Sequence, residues 1–252
     1  MGASGVINGG IYLINKALCE AFLTQEKFSF EKDFLEKNTD RLHMQSFISE
    51  SFFIDIGIPE DYQKAQQTFH QFNTWHVQPN WTLFLDRDGV VNKKIENGYV
   101  THWDKFEFLP HTFQALALAK KYFKRIVLVT NQQCVGKQII SENELNAIHD
   151  FMLKEIQLHG GNIDAIYVAP QLAKENHQDR KPGIGMPLKA QIDFPEIDFQ
   201  QSIICGDSIS DMEMGASLGM KKIFIGAPFC NQADATFKNL SDAIDFFINI
   251  AN

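Results

Sequence analysis

The sequence predicts an α/β fold, a Rossmann-like parallel sheet with helices on both faces. Short apolar runs alternate with helix-like segments after residue 78, which is the pattern of successive βαβ units. Two of these runs end in closely spaced carboxylates, and open α/β sheets bind ligands where their strands end. The 252 residues are 44% hydrophobic, which is enough to build a sizeable core.

The predicted elements follow one another regularly along the chain. Strands are expected at Thr82–Leu85, Arg125–Thr130, Ala165–Val168, Ser202–Cys205 and Lys222–Ile225. Helices are expected at Thr112–Tyr122, Glu142–His159, Met186–Ile192, Asp211–Leu218 and Asp242–Asn249. Ser141, with Glu144 three residues later, has the sequence of a capping box for the second helix. The polar segment 76–80 predicts a boundary between domains 1–77 and 78–252.

Asp86 and Asp88 directly follow the first predicted strand and are separated by one residue. Carboxylates this close repel each other, so a divalent cation or a shared proton must hold them together. Taken alone, Asp-x-Asp-Gly is more typical of a solvated turn than of a metal site. The interpretation as a metal site therefore depends on motifs elsewhere in the chain.

Three further motifs follow in chain order, each close to an apolar run or a stiff loop. They are Thr130-Asn131 after the second strand, the basic pair Arg180-Lys181 before Pro182, and Asp207 with Asp211 after the fourth strand. Together with Asp86 and Asp88, they resemble the four motifs of the haloacid dehalogenase superfamily of phosphohydrolases. The resemblance implies a haloacid dehalogenase-like fold and phosphatase activity.

Longer stretches of the sequence indicate which family within this superfamily the chain resembles. Residues 86–92 read Asp-Arg-Asp-Gly-Val-Val-Asn, residues 98–100 read Gly-Tyr-Val and residues 106–110 read Phe-Glu-Phe-Leu-Pro. With the motifs above, they look like the D-glycero-D-manno-heptose 1,7-bisphosphate phosphatases from about residue 80 to the C-terminus. The related histidinol-phosphate phosphatases share much of this pattern.

The resemblance implies a Mg²⁺ site and a carboxylate nucleophile. Asp86, the backbone carbonyl of Asp88 and Asp207 would be the metal ligands, and Asp211 would either support them or cap the next helix. Asp86 would attack phosphorus to form an aspartyl phosphate, while Asp88 would act as general acid and base. The negative charge of its neighbours is expected to raise the pKa of Asp88.

The same resemblance assigns the residues expected to contact the substrate, which are Thr130, Lys181, Asn131, Arg180, Gly98, Tyr99 and Lys137. Thr130 and Lys181 would stabilise the transferring phosphoryl group. Arg180 would bind a second phosphate, because a guanidinium grips phosphate in a bidentate manner. Gly98 and Tyr99 fall where the family's substrate loop lies, and Lys137 stands where relatives often carry an arginine.

One departure from the family concerns zinc. The close relatives carry a Cys-x-His pair and a Cys-x-Cys just before the basic pair, whereas residues 169–171 read Ala-Pro-Gln and residues 177–179 read His-Gln-Asp here. Tetrahedral zinc needs about four Cys or His ligands, and only His177 remains. The sequence therefore predicts magnesium but no zinc.

The first 77 residues look like the C-terminal third of a sugar-1-phosphate nucleotidyltransferase of the heptose or mannose guanylyltransferase type, through residues 6–14, 28–35 and 53–62. In that family Asn8, Glu31 and Lys32 would face the sugar phosphate, and Asp55 would bind metal. The family's glycine-rich nucleotide loop is absent, so these residues are expected to be structural and no nucleotidyl transfer is expected. Two readings stay open: a piece of a longer bifunctional enzyme, or a retained docking or dimerisation module.

Composition restricts the function classes. A formal charge of −8 argues against a nucleic-acid partner. No apolar run is long enough to cross a bilayer, and no signal-peptide pattern is present. The scattered Cys19, Cys134, Cys205 and Cys230 indicate reduced thiols in the cytoplasm.

The leading hypothesis is a Mg²⁺-dependent phosphatase that cleaves the 7-phosphate of heptose 1,7-bisphosphate. One alternative is a phosphatase for histidinol phosphate or another small phosphomonoester. A second alternative is a non-catalytic protein that binds sugar phosphates or scaffolds a guanylyltransferase. For the leading hypothesis the expected partner is a small sugar phosphate, no nucleic-acid or membrane partner is expected, and homo-oligomerisation through the N-terminal segment stays open.

Overall fold

A computed structural model describes residues 10, 12–15, 17, 29–46, 57, 59–60, 62, 79–226 and 230–251. The chain divides into two compact units, Met1–Phe72 and Asn73–Asn252. Among the residues assigned above, Asn8 and Asp55 lie outside the described residues.

The second unit is built on a six-stranded parallel sheet. Its strands are β1 (Thr82–Leu85), β2 (Arg125–Asn131), β3 (Ala165–Ala169), β4 (Ser202–Gly206), β5 (Lys221–Ile225) and β6 (Ala235–Phe237), in the order β3-β2-β1-β4-β5-β6. Leu85 at the end of β1 pairs with Leu128 of β2 on one side and Cys205 of β4 on the other. The strand order reverses between β1 and β4, which is where such sheets open a ligand crevice.

Helices cover both faces of the sheet, as the sequence predicts. They are α1 (Thr112–Tyr122), α2 (Gln133–Gly136), α3 (Glu142–Leu158), α4 (Gly185–Asp193), α5 (Ile209–Leu218) and α6 (Leu240–Ala251). Leu83 and Leu85 of β1 pack with α1, α3 and α6, whereas Phe84 points to the opposite face and packs with α4 and α5. This alternation along one strand divides the core into two layers.

The α3 helix shows how the sequence specifies its position. Ser141 Oγ accepts a hydrogen bond from the Glu144 amide, and the Glu144 carboxylate accepts one from the Ser141 amide, so the predicted capping box is confirmed. Its buried residues recur at helical spacing and are Leu145, Ile148, His149, Met152 and Ile156. One histidine therefore lies on an otherwise apolar face.

The five predicted strands are confirmed, with bounds within one residue of the observed ones. The sequence does not predict β6, because Ala-Thr-Phe is too short to show an alternating pattern. The predicted start of α5 is Asp211, whereas the helix begins at Ile209 after the cap residue Ser208. No helix of the described residues is both long and apolar enough to cross a membrane.

The first unit is described over a short helical stretch. Phe30–Leu35 forms a π-helical turn that continues into the α-helical residues Glu36–Asn38. The Glu31 carboxylate accepts a hydrogen bond of 3.1 Å from the Tyr12 hydroxyl, and Lys32 is exposed.

Candidate active site

The carboxyl ends of β1 and β4 bring the predicted metal ligands together. Asp86 follows β1, and its amide donates to the Cys205 carbonyl of β4 at 2.9 Å. Asp207 follows β4, and Asp211 lies in the first turn of α5. One carboxylate oxygen from each of Asp86, Asp207 and Asp211 lies within 4.8 Å of the other two. We call these three residues the carboxylate cluster.

Two glycines allow the carboxylates to approach the backbone. Gly89 has φ of +88°, and a Cβ at this position would lie 2.2 Å from Asp207 Oδ2. At Gly206 a Cβ would lie 2.2 Å from Asp211 Cγ. Any side chain at these positions would therefore displace a member of the cluster.

The buried ammonium of Lys181 neutralises part of the negative charge of the carboxylate cluster. Its Nζ lies 2.8 Å from Asp86 Oδ1 and 2.7 Å from Asp211 Oδ1, and donates to the Val129 carbonyl at 3.1 Å. The loop around it is held by Asn131, whose Oδ1 accepts from the Lys181 amide at 3.0 Å and whose Nδ2 donates to the Lys181 carbonyl at 3.2 Å. The ammonium is buried and fixed by three acceptors.

Asp211 combines two roles. Its Oδ2 accepts hydrogen bonds from the Ser208 amide at 3.2 Å and the Ser208 hydroxyl at 2.6 Å, which is the cap of α5. Its Oδ1 is the oxygen that pairs with Lys181. The side chain is fully buried, so it both caps the helix and adds negative charge behind Asp86.

The electrostatics of the cluster suit a divalent cation. Burial raises the pKa of Asp86 to about 7, with Asp211 adding to this effect and Lys181 opposing it. Burial also raises the pKa of Asp207, although Lys94 donates to its Oδ2 at 2.7 Å and opposes the shift. The buried Asp207 Oδ1 has no hydrogen-bond partner among the described residues. An unpaired oxygen within a cluster of carboxylates fits a hard cation with oxygen ligands.

The Asp88 carboxylate makes a different set of contacts. Arg87 Nη2 lies 3.1 and 2.9 Å from its two oxygens, Asn92 Nδ2 donates to Oδ1 at 2.9 Å, and Gln132 Nε2 donates to Oδ2 at 2.7 Å. Burial raises the pKa of Asp88, but the Arg87 charge and these hydrogen bonds outweigh burial and lower it below its ordinary value. The predicted rise in the pKa of Asp88 is therefore wrong. The prediction included the charge of the neighbouring carboxylates but not the charge of Arg87.

Arg87 itself is buried, with 1% of its surface exposed. Its Nη1 lies 3.1 Å from Nε2 of His149, the histidine on the apolar face of α3. Burial, together with the Arg87 charge, lowers the pKa of His149 to about 3, so the neutral ring accepts this hydrogen bond. Neither Arg87 nor His149 is among the predicted site residues. The signals that the sequence offers for them are an arginine between two carboxylates and a histidine within a run of apolar helix positions.

A cavity of about 500 Å³ opens beside these groups. Its lining includes the predicted residues Asp86, Asp88, Gly98, Tyr99, Asn131, Lys137, Arg180, Lys181 and Asp207. Lys137 Nζ donates to the Tyr99 hydroxyl at 2.9 Å, and Arg180 Nη1 donates to the Gln171 carbonyl at 3.3 Å. Thr130 is buried outside this lining, and its Oγ1 accepts from Gln132 Nε2 at 2.8 Å.

The strand order, the carboxylate cluster and the buried lysine define a phosphohydrolase of the haloacid dehalogenase-like class. A crystal structure of D,D-heptose 1,7-bisphosphate phosphatase from B. bronchiseptica, complexed with magnesium and phosphate, matches with a TM-score of 0.61 and 26% identity, over 67% of this chain and 98% of that chain. The sequence model of the polynucleotide kinase 3 phosphatase family matches residues 82–243, and the chain belongs to this family.

Two relatives match different parts of the chain. D-glycero-alpha-D-manno-heptose-1,7-bisphosphate 7-phosphatase of Mycobacterium tuberculosis is 36% identical over 166 residues, which are 64% of this chain and 87% of the relative. D-glycero-alpha-D-manno-heptose 1-phosphate guanylyltransferase of Aneurinibacillus thermoaerophilus is 51% identical over 70 residues, which are 28% of this chain and 30% of that enzyme. Both predicted resemblances are confirmed.

Proposed function

We propose that the chain is a Mg²⁺-dependent, cytoplasmic phosphatase that hydrolyses D-glycero-D-manno-heptose 1,7-bisphosphate to heptose 1-phosphate. The observation that carries the proposal is the carboxylate cluster beside a cavity that Arg180 and Lys137 also line. A sugar bisphosphate needs one site for the reacting phosphate and a second cationic site for the phosphate that is retained. The printed activity of the Mycobacterium tuberculosis relative supports this substrate.

In the mechanism that we propose for this reaction, Asp86 is the nucleophile. Its Oδ1 is held by the Arg87 amide at 2.7 Å and by Lys181 at 2.8 Å, so Oδ2 is the oxygen that attacks phosphorus. The attack forms an aspartyl phosphate and releases the sugar oxygen, which takes a proton from Asp88. Asp88 then removes a proton from the water that hydrolyses the intermediate. Its lowered pKa suits the base step, and the arriving phosphate charge favours protonation for the acid step.

The metal ligands that we propose are Asp86, Asp207 and the backbone carbonyl of Asp88, with Asp211 behind them. A bound Mg²⁺ would neutralise charge on the phosphate and on the carboxylates. Lys94 occupies Asp207 Oδ2 at 2.7 Å, which leaves the unpaired Oδ1 of Asp207 for the ion. Lys181 remains as the fixed cation that lets an anionic substrate approach Asp86.

Protons and Mg²⁺ should compete for Asp86. Because burial raises the pKa of Asp86 to about 7, the carboxyl is protonated below this pH and must lose its proton to bind metal. We expect the apparent Mg²⁺ affinity to be about tenfold weaker at pH 6 than at pH 8. Titration of Mg²⁺ at the two pH values, followed by thermal shift, measures this difference. Equal affinities at both pH values would contradict a protonated Asp86.

The Arg180→Ala variant tests the site for the retained phosphate. A lost charged hydrogen bond costs roughly 1.5–3 kcal/mol, so kcat/KM for the heptose bisphosphate should fall about tenfold to a hundredfold. The rate for p-nitrophenyl phosphate, which has no second phosphate, should change little. Arg125→Ala is a matched control. Arg125 Nη2 lies 2.8 Å from Glu196 Oε1, and neither residue lines the cavity. Equal losses on both substrates would assign Arg180 to the reacting phosphate or to the fold.

Metal analysis tests the departure from the zinc-binding relatives. The loop before Arg180 has no cysteine, and His177 instead lies 3.6 Å from Asp179 Oδ2. We expect Mg²⁺-dependent activity and no zinc at stoichiometric levels after dialysis against a chelator. One zinc per chain after that treatment would contradict this prediction.

The similarity of the N-terminal segment to a guanylyltransferase supports the alpha anomer as the substrate. The segment is similar to an enzyme named for D-glycero-alpha-D-manno-heptose 1-phosphate, which is the product expected from the alpha bisphosphate. A panel of the alpha and beta bisphosphates and histidinol phosphate tests the whole proposal. We expect the highest kcat/KM for the alpha bisphosphate. Faster turnover of histidinol phosphate would select the alternative phosphatase, and no turnover of any substrate would select the non-catalytic alternative.

A further inference from the structure

We propose that Arg87 and His149 form a buried positioning pair that fixes the Asp88 carboxylate for proton transfer. The inference deepens the proposed function and rests on it, because it assumes that Asp88 is the general acid and base. Neither residue touches the substrate. They act through Asp88 and are therefore positioning residues.

The Asp88 carboxylate is held on both of its oxygens. Oδ1 accepts from Arg87 Nη2 and Asn92 Nδ2, and Oδ2 accepts from the same Arg87 nitrogen and from Gln132 Nε2, at distances between 2.7 and 3.1 Å. Among the described residues, Arg87 is the one side chain that binds both oxygens. The position of its guanidinium therefore determines the plane of the carboxylate.

The two ends of the Arg87 guanidinium bind different partners. Nη2 binds Asp88, while Nη1 lies 3.1 Å from His149 Nε2. The group also lies over the ring of Phe106, with Cζ 6.0 Å from the ring centroid. With 1% of its surface exposed, Arg87 cannot exchange His149 for water without a rearrangement of the core. His149 consequently fixes the rotation of the guanidinium, and the guanidinium fixes Asp88.

Removal of the His149 acceptor should have a specific effect. Nη1 would be left buried and unpaired, and the guanidinium would turn towards another acceptor and draw Asp88 with it. A displacement of about 1 Å can cost about a hundredfold in rate where proton transfer limits the reaction. Among the described residues, no hydrogen bond or ion pair joins His149 to Asp86, Lys181 or Asp207, so attack on phosphorus should be preserved.

The test compares His149→Leu with His149→Gln on two substrates. The heptose bisphosphate has a poor leaving group that needs a proton, whereas the nitrophenolate of p-nitrophenyl phosphate needs little help. For His149→Leu we expect kcat on the sugar phosphate to fall about tenfold to a hundredfold, with KM within about twofold, and the aryl phosphate rate to fall less than about threefold. Glutamine, which can place an acceptor oxygen near the Nε2 position, should restore most of the sugar phosphate rate.

Three outcomes would overturn the inference. They are equal losses on both substrates in a leucine variant that melts like the wild type, no loss on the sugar phosphate, or no recovery with glutamine in a folded protein. If the leucine variant melts well below the wild type, the glutamine variant decides alone. The proposed function fails separately if wild-type enzyme prefers another alkyl phosphate, because the comparison can then be repeated with that substrate. Asp88→Asn sets the largest loss that mispositioning can produce.

Discussion

Asp86→Asn should reduce turnover of every phosphomonoester by a factor on the order of 10⁴ or more, as expected when a covalent nucleophile is removed. The substitution keeps the shape of the side chain but removes the attacking oxygen anion and one charged metal ligand. No aspartyl phosphate should form, which rapid quench followed by mass spectrometry measures directly. Asp150→Asn, on the exposed side of α3, is a matched control and should retain wild-type rates.

The same variant should not lose stability in the absence of metal. Burial raises the pKa of Asp86 to about 7, so between about pH 4 and pH 7 the folded protein holds a proton that the unfolded chain, with the ordinary pKa of 3.8, has already released. Stability from this group is therefore lost as pH rises from about 4 to 7, and the full cost is present above pH 7. At pH 8 in EDTA, Asp86→Asn should melt at or above the wild-type temperature. A clearly lower melting temperature, or near wild-type turnover, would contradict the assigned role.

The strands of the sheet, and the positions of Asp86 and Asp207 at their ends, could be predicted because the relevant signals are local in the sequence. Each strand of the central sheet is an apolar run, and Asp86 and Asp207 follow such runs directly. Parallel strands bring their carboxyl ends to the same edge, so the closeness of these two carboxylates follows from the fold class alone. The start of α3 was predictable for the same reason, since a capping box spans four consecutive residues.

The environment of Asp88 could not be predicted because it depends on contacts between distant segments. Gln132 lies 44 residues from Asp88, and His149 lies 62 residues from Arg87. The motif shows that charges are present but does not show which side chain turns inward. Arg87 turns into the core, so its positive charge outweighs the neighbouring carboxylates in setting the pKa of Asp88. Another such contact lies beside the cavity, where Gln132, a lining residue, donates to Thr130 Oγ1, and the role of Thr130 stays a prediction.

Lys181→Met is the second substitution with a large expected effect, and it should affect stability and activity together. Lys181 Nζ is the cation between Asp86 and Asp211, and its side chain is 2% exposed. Without it, two buried carboxylates face each other with no internal cation. Removal of one partner from a buried ion pair typically costs about 3–5 kcal/mol. The free energy of unfolding at pH 8 in EDTA should fall by about that amount, as measured by urea denaturation.

The cost should depend on pH in a defined direction. Lys181 lowers the pKa of Asp86, so its removal should raise that pKa above its value of about 7 and leave the proposed nucleophile protonated at neutral pH. Stability should therefore recover as pH falls, because one shared proton relieves the repulsion, whereas kcat should not recover. We expect kcat on p-nitrophenyl phosphate to be lower by a factor of about 10² to 10³ at pH 7, since a fixed electrostatic contact to the transition state is lost.

A second lysine, Lys222, provides a control that distinguishes the effects of Lys181→Met from those of losing any positive charge. Lys222 Nζ lies 3.3 Å from Asp234 Oδ1, in an ion pair that is partly exposed and distant from the cavity lining. Partly exposed pairs contribute about 0–1 kcal/mol, so Lys222→Met should change the free energy of unfolding by no more than that. If Lys181→Met were equally mild, Asp86 and Asp211 would have to be neutralised by other means. The buried lysine would then not be the cation that allows an anionic substrate to approach Asp86.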